Sequence, residues 1–155
     1  MKKWITGTVL CCTLGIGCVL PAVHADEPYN HPKRQVLRAA QNGDASLKAL
    51  LKQGININAT DEDGETALME AADDRNATAL QILITNGANV NQADEDGETA
   101  LMKAADEGRV QNVILLIQAG ANVNAVDEDG ETALDKALDE RNSEVVRILQ
   151  AAGAR

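Results

Sequence analysis

The chain has 155 residues, 24 of them acidic and 14 basic, for a net charge of −10. With 45% apolar and 25% charged residues it has the balance of a folded soluble protein and not of a disordered one. The acidity excludes a general nucleic-acid binder, which needs Lys and Arg gathered on one face. No apolar run lies deep in the chain, which excludes a protein of several membrane-spanning helices.

The first 25 residues read as a separate object. Met1-Lys2-Lys3 is basic, Trp4 to Leu20 is apolar and uncharged, and Val23 and Ala25 are compact residues before polar Asp26-Glu27. That is the layout of a secretory signal peptide cut between Ala25 and Asp26. A single membrane anchor is the competing reading, and against it the apolar run falls short of the about 20 residues a span needs. Ile16-Gly17-Cys18 resembles the end of a bacterial lipobox, but Gly15 stands where Leu is usual and apolar Val19-Leu20 follows. Cleavage after Ala25 removes two lysines and no acids, so the net charge moves from −10 to −12. It also removes Cys11, Cys12 and Cys18, and with them all thiol and disulfide chemistry. Trp4 goes too, leaving Tyr29 as the sole aromatic and a core to be built from Ala, Leu, Ile and Val. Residues 26–32 form a short lead-in.

The remainder is a repeat array. The octet DEDGETAL begins at Asp61, Asp94 and Asp127, at a constant spacing of 33 residues. Gly87–Asn91 and Gly120–Asn124 both read GANVN, and Gly54–Asn58 is the same element one period earlier. A period of this size marks a solenoid. Within each period Asp-Glu-Asp-Gly is turn material, and Thr66, Thr99 and Thr132 stand at helix N-cap positions before a short Ala-rich helix. A polar break follows, at Asp74-Arg75-Asn76 and Glu107-Gly108-Arg109. A second helix then shows helical apolar spacing, with Leu80, Leu83 and Ile84; Val113, Leu116 and Ile117; and Val145, Ile148 and Leu149. Gly87, Gly120 and Gly153 close these second helices.

Turn, helix, turn, helix over 33 residues resembles the ankyrin repeat, over about residues 33–155. The family pattern G-x-T-P-L-H corresponds to Gly64-Glu65-Thr66-Ala67-Leu68-Met69, and G-A-x-V-N to Gly87-Ala88-Asn89-Val90-Asn91. The resemblance implies an all-α solenoid of four stacked helix-turn-helix repeats with short β-turn fingers, bounded at about 33–60, 61–93, 94–126 and 127–155. Ala67, Ala100 and Ala133 replace the family's helix-opening Pro, and Met69, Met102 and Asp135 replace its His. Loss of the Thr–His hydrogen bond implies weaker polar bracing between repeats. The first repeat lacks the turn motif, has a second helix one residue short, and carries Lys33, Arg34, Arg38, Lys48 and Lys52, which suit a polar outer face. First and last repeats read as solubilising caps.

Catalysis has little material. After export His31 is the only imidazole, and Ser46 and Ser143 are the only serines, one in the first repeat and one in the last. Nucleophilic catalysis needs a nucleophile, a base and an orienting group within reach, and a His/Cys zinc site needs ligands this chain lacks. The chain is therefore read as no enzyme, with no cofactor and no catalytic or metal residues. Asp61-x-Asp63-Gly64 resembles the opening of an EF-hand loop, but the further oxygen ligands and closing Glu of that loop are missing. The plainer reading makes Asp61, Asp94 and Asp127 the turn residues that bond the finger backbone.

The distribution of acids carries the functional expectation. By resemblance, ankyrin domains bind through finger tips and the concave face of the first helices. Counted from Asp61, the adaptable positions are the second, third, fifth, thirteenth and fourteenth. In repeat two these are Glu62, Asp63, Glu65, Asp73 and Asp74; in repeat three Glu95, Asp96, Glu98, Asp106 and Glu107; in repeat four Glu128, Asp129, Glu131, Asp139 and Glu140. All are acidic. Solubility alone could motivate such a charge run, but one sign along one groove points to a docking surface for a partner protein with a basic patch. The expected protein is a monomeric, non-catalytic binding module, periplasmic or secreted. It would have no nucleic-acid partner and no membrane contact unless lipidated at Cys18. Alternatives are a divalent-cation-binding exported protein and an accessory or protective subunit of a periplasmic enzyme.

Export has a direct check. Intact mass and N-terminal sequencing of the exported form are expected to give a thiol-free chain beginning at Asp26. A chain beginning at a lipidated Cys18 would reject that expectation.

Overall fold

The computed structural model describes residues 31–155. The expected signal segment, the Ala25–Asp26 cleavage pair, Cys18 and the lead-in up to Asn30 lie outside the described residues. Eight α-helices run in chain order through them: α1 (Pro32–Gln41), α2 (Asp44–Leu51), α3 (Ala67–Asp73), α4 (Ala77–Thr85), α5 (Ala100–Asp106), α6 (Val110–Gln118), α7 (Ala133–Asp139) and α8 (Ser143–Ala151). They pair as four helix-turn-helix units. The inner helices α1, α3, α5 and α7 stack in one row, and α4, α6 and α8 stack in the other.

Local chemistry sets each element. Thr66, Thr99 and Thr132 cap α3, α5 and α7 by accepting from the backbone N–H of Met69, Met102 and Asp135 at 3.3–3.4 Å. The return leg of each capping box also exists. Thr66 and Thr99 N–H donate to the thioethers of Met69 and Met102 at 3.3 and 3.4 Å, and Thr132 N–H to the Asp135 carboxylate at 2.9 Å. The residues that replace the family's His therefore still complete the cap. Beyond the threonines, the inner helices bury Ala67, Ala71, Ala72, Ala100, Ala104 and Ala105, and these small side chains let successive inner helices pack closely. The outer row supplies bulk through Leu80, Leu83, Val113, Leu116, Val145 and Leu149. Outer helices α4, α6 and α8 end in a left-handed glycine, Gly87, Gly120 and Gly153, at φ near 90°. As expected, the second helix of the first repeat is one residue short: α2 has eight residues where α4, α6 and α8 have nine.

Two hydrogen-bond ladders tie the repeats together. On the finger side, Glu95 N–H donates to Asp63 O at 3.1 Å and Glu128 N–H to Asp96 O at 2.9 Å. In the loops after α2, α4 and α6, the side-chain oxygens of Asn58, Asn91 and Asn124 accept from the N–H of Asn89, Asn122 and Arg155 at 2.7–3.0 Å. Each bond joins neighbouring repeats only, which is how a solenoid distributes its stability.

The turn after α5 and α7 uses a left-handed residue: Gly108 at φ 65° and, one period later, Arg141 at φ 58°. A Cβ on Gly108 would also fall 2.6 Å from the Asn142 side-chain oxygen. Gly108→Ala is therefore expected to cost about 1–2 kcal/mol, while Arg141→Gly relieves strain and gains about 0.5–1 kcal/mol. Urea unfolding of both variants checks the opposite signs.

Candidate functional site

The side that carries the expected binding acids is built from the fingers and from the exposed faces and C-terminal ends of the inner helices. In each finger the first Asp closes the turn on itself: the Asp61, Asp94 and Asp127 Oδ1 atoms accept from the N–H of Glu65, Glu98 and Glu131 at 2.8–2.9 Å. Close backbone approach then lets one finger lie on the next. A Cβ on Gly64 would meet Glu95 N at 2.9 Å, and one on Gly97 would meet Asp127 Cα at 3.0 Å.

Stacked acidic fingers would repel, and three lysines prevent it. Lys103 Nζ lies 2.8 Å from Glu65, 3.0 Å from Asp94 and 3.0 Å from Glu98. Lys136 Nζ repeats this one period later, 2.7 Å from Glu98, 2.9 Å from Asp127 and 3.6 Å from Glu131. Lys33 Nζ, from α1, bonds Asp61 at 2.6 Å, Glu65 at 2.8 Å and Glu70 at 3.2 Å. Lys33 does not belong to a polar outer face as the sequence suggested; it is 4% exposed, because only an interior position reaches the first finger. The expectation of weak polar bracing between repeats is corrected in the same way. Lysines supply the bracing that the missing His was expected to leave out.

The electrostatics follow from this wiring. Burial alone would lower the ammonium pKa of Lys33, Lys103 and Lys136, but hydrogen bonds to their carboxylates outweigh it and hold all three above the ordinary lysine range. Burial likewise works to raise Asp61, Glu65, Glu98 and Asp127, and the lysine hydrogen bonds outweigh it and hold these carboxyls below their usual range.

The expected partner-binding acids fall into two groups. Glu65, Glu98 and Glu131 are half-buried and turned to the lysines. The other twelve are exposed. Glu62, Asp63, Glu95, Asp96, Glu128 and Asp129 ride the finger tips. Asp73, Asp106 and Asp139 are the last residues of α3, α5 and α7, and Asp74, Glu107 and Glu140 are their C-caps. Of these, Glu107 is held by Arg109 at 2.8 Å. A cavity of about 210 Å³ lined by Glu65, Glu70, Asp73, Glu98, Lys103 and Asp106 joins fingers to inner helices. Two acidic rims thus flank a floor neutralised by lysines.

A calcium role for the finger carboxylates meets a competitor already in place. Both oxygens of Asp61 are engaged, one by backbone and one by Lys33, and Asp94 and Asp127 are engaged likewise by Lys103 and Lys136. Among the described residues no group of three or more His, Cys, Asp or Glu side chains is arranged to hold a metal ion. His31 precedes α1, Ser46 lies in α2 and Ser143 opens α8, in the first and last repeats.

Sequence reasoning missed the lysines. Lys103 and Lys136 are one period apart and could have been found as a basic position among acidic ones. Lys33 had no such signal, because the first repeat lacks a finger to align.

A family model described as "Ankyrin repeats (3 copies)" matches residues 36–127 and 80–155. Among curated proteins, none is similar enough to count as a relative.

The ion-pair ladder predicts a stability profile. Carboxyls with depressed folded-state pKa contribute stability that is present above about pH 4 and lost as pH falls through their folded values. Lysines with raised pKa contribute stability that is present below about pH 10.4 and lost as pH rises through theirs. Urea midpoints are expected to hold across neutral pH and fall at both extremes. Lys103→Met is expected to cost about 2 kcal/mol at pH 7, since it leaves Asp94 without its lysine and takes one of two lysines from Glu65 and Glu98, and to flatten the acid limb.

Proposed function

The chain belongs to the ankyrin repeat family, whose members are generally protein–protein interaction modules and typically non-catalytic, and from that premise we propose an exported, monomeric, non-catalytic binding module. Its concave acidic face docks a partner protein through a basic patch, in the periplasm or outside the cell. The observation that carries this reading is the position of the acids outside the lysine ladder, Glu107 with its Arg109 contact included. Asp73, Asp106 and Asp139 close α3, α5 and α7 and three more acids cap them, where the helix dipole is negative. Each carboxylate there costs about 0.3–1 kcal/mol. Solubility is served equally by acids elsewhere, without that cost. A threefold repeated cost at one lip of one groove is what a docking surface for cations accounts for.

Cations are attracted to the rims because the ladder has already used the chain's own lysines on the floor. The field of the rims raises encounter rates with basic partners and repels acidic ones. The divalent-cation reading has less support, because Lys33, Lys103 and Lys136 occupy the carboxylates it would need.

A pull-down from periplasmic extract with the chain from Asp26 onward as bait identifies the partner, and association rates then test the face. Glu62, Asp63, Glu95 and Asp96 changed together to Lys are expected to slow association at least about tenfold at low salt, an effect that shrinks as the Debye length falls to about 8 Å. The fold is expected to survive, because these tips are exposed. Glu144→Lys on α8 is expected to matter much less per unit of charge. Equal, small effects from both faces would reject the acidic groove and leave solubility as the reason for the acids.

A further inference from the structure

The acidic lip of the later repeats has a neutral counterpart in the first. Asn42, the C-cap of α1, donates its N–H to Ala40 O and Arg38 O, as Glu107 does to Ala105 O and Lys103 O and Glu140 to Leu138 O and Lys136 O. The three caps share a backbone conformation, with φ from −80° to −76° and ψ from −7° to 0°. Each precedes a residue of positive φ, namely Gly43, Gly108 or Arg141. α3 leaves otherwise, through Asp74 at ψ 154°. Gln41 and Asn42 therefore stand in register with Asp106-Glu107 and Asp139-Glu140, as amides where the later repeats have carboxylates.

Asn42 is followed by Gly43, and an Asn-Gly pair is open to ring closure because glycine has no Cβ to hinder its own nitrogen. The Gly43 nitrogen attacks Asn42 Cγ: the N–Cγ bond forms, the Cγ–Nδ2 bond breaks, and ammonia leaves with the amide proton. Water then opens the cyclic imide at either carbonyl and gives aspartate or isoaspartate. Water is the only reagent consumed and ammonia the only molecule released. Either product adds one carboxylate.

The fold leaves this pair accessible. Asn42 is exposed, and a Cβ on Gly43 would meet nothing within 4 Å. The Gly43 N–H donates to Ala40 O at 3.1 Å, a terminal bond of the kind that opens as a helix end frays. The chain's other Asn-Gly pair, Asn86-Gly87, lies at the end of α4 with Asn86 at φ −93° and ψ 11°. There the asparagine is half-buried, and its Nδ2 donates to Asp44 Oδ1 and to Ile82 O, each at 2.8 Å. The group that must leave is fastened, and its loss would set a carboxylate against Asp44.

We propose that Asn42 is a site of spontaneous deamidation, a modification that makes the neutral lip of the first repeat acidic. The new carboxylate stands in register with Glu107 and Glu140 and four residues after Arg38, within reach of that exposed cation on the same helix face. It extends the acidic rim by one repeat and offsets the positive charge beside it. The site depends on the fold alone; its effect on a basic partner rests on the acidic-face reading.

The chain from Asp26 onward is incubated in mildly alkaline buffer, where the Gly43 amide loses its proton more readily. Trypsin separates the two pairs, since residues 39–48 hold Asn42 and residues 76–103 hold Asn86, and peptide mass spectrometry follows each conversion. Asn42 is expected to convert at least about tenfold faster than Asn86, whose two hydrogen bonds must open first. In urea the two rates are expected to converge, because the dipeptide is the same and the protection belongs to the fold. Asn42→Gln is expected to abolish conversion in the first peptide and leave the second unchanged. Equal rates in the folded chain, or a slower Asn42, would overturn the site. Asn42→Asp mimics one product and is expected to bind an oligolysine peptide about twofold more tightly than the unaltered chain at low salt. Deamidation without that gain would overturn the extension of the rim and leave the site. Oligolysine binding by neither chain would overturn the acidic face and leave the site standing.

Discussion

One ammonium shared among three carboxylates is the contact on which the finger stack depends. Glu65 is bonded by Lys33 and Lys103, and Glu98 by Lys103 and Lys136, so the pairs form one continuous chain from α1 to the third finger. An isolated surface pair contributes little, because solvent screens it and two side chains must be ordered. Here the lysine side chains are only 5–17% exposed, and each oxygen that faces a lysine belongs to a residue already fixed by the finger or by a helix. Much of the ordering cost is therefore met by the fold. The single-methyl Ala rows bring the inner helices close enough for one lysine to reach two fingers.

That ladder also decides what the groove presents. If the lysines were exposed, the concave face would be a mosaic of both signs. Drawn inward, they cancel the fifth-position glutamates and leave the rims uncompensated. The rims then sit where they cost stability, on stacked finger tips and at the negative ends of the inner helices. Asn112, Arg109 and Asn142 donate to carbonyls at those ends and offset part of that cost, from α6 and from the turn before α8. The lip thus depends on side chains from the following repeat, and repeat four, whose Asp139 and Glu140 are followed by no further described repeat, presents its acids on different terms.

Much of the fold was legible because its signals were periodic and local. An octet repeated at a fixed spacing, a capping Thr, an Ala-rich stretch and a closing Gly each depend on a few adjacent residues, and the eight helices fall where those signals put them. What was not legible was non-local. Met69 and Met102 read as losses of a polar bond, yet a thioether accepts from the same N–H and completes the cap. Lys33 read as a solvent-facing base because its partners lie about one period away, in a finger that its own repeat lacks. Asn112 carried no signal at all, since a single Asn on an apolar helix face means nothing until the exit of α3 is seen beneath it. The acidic positions were legible as a list, and the division into paired floor and unpaired rims was not.

The charge of the first repeat gives the groove a direction. Residues 31–60 carry Lys33, Arg34, Arg38, Lys48 and Lys52 against Asp44 alone, whereas every later repeat is net acidic. Lys33 is spent on the first finger and Lys48 on Asp44. Arg38 stays exposed on α1, at the position that Glu70 takes in the next repeat. A uniformly acidic trough would let a basic partner slide from repeat to repeat at little cost, because each period offers the same charges. On the proposed acidic-face reading, a cation in the first repeat would end the trough on one side and repel a basic segment there. Selectivity arises as much from such a repulsive boundary as from attraction. The sign change therefore falls at Glu70, Asp73 and Asp74, where the repeat pattern itself is broken by an extended helix exit and a buried Asn. Two independent departures from periodicity, the change of sign and the extended helix exit, thus meet at the end of α3.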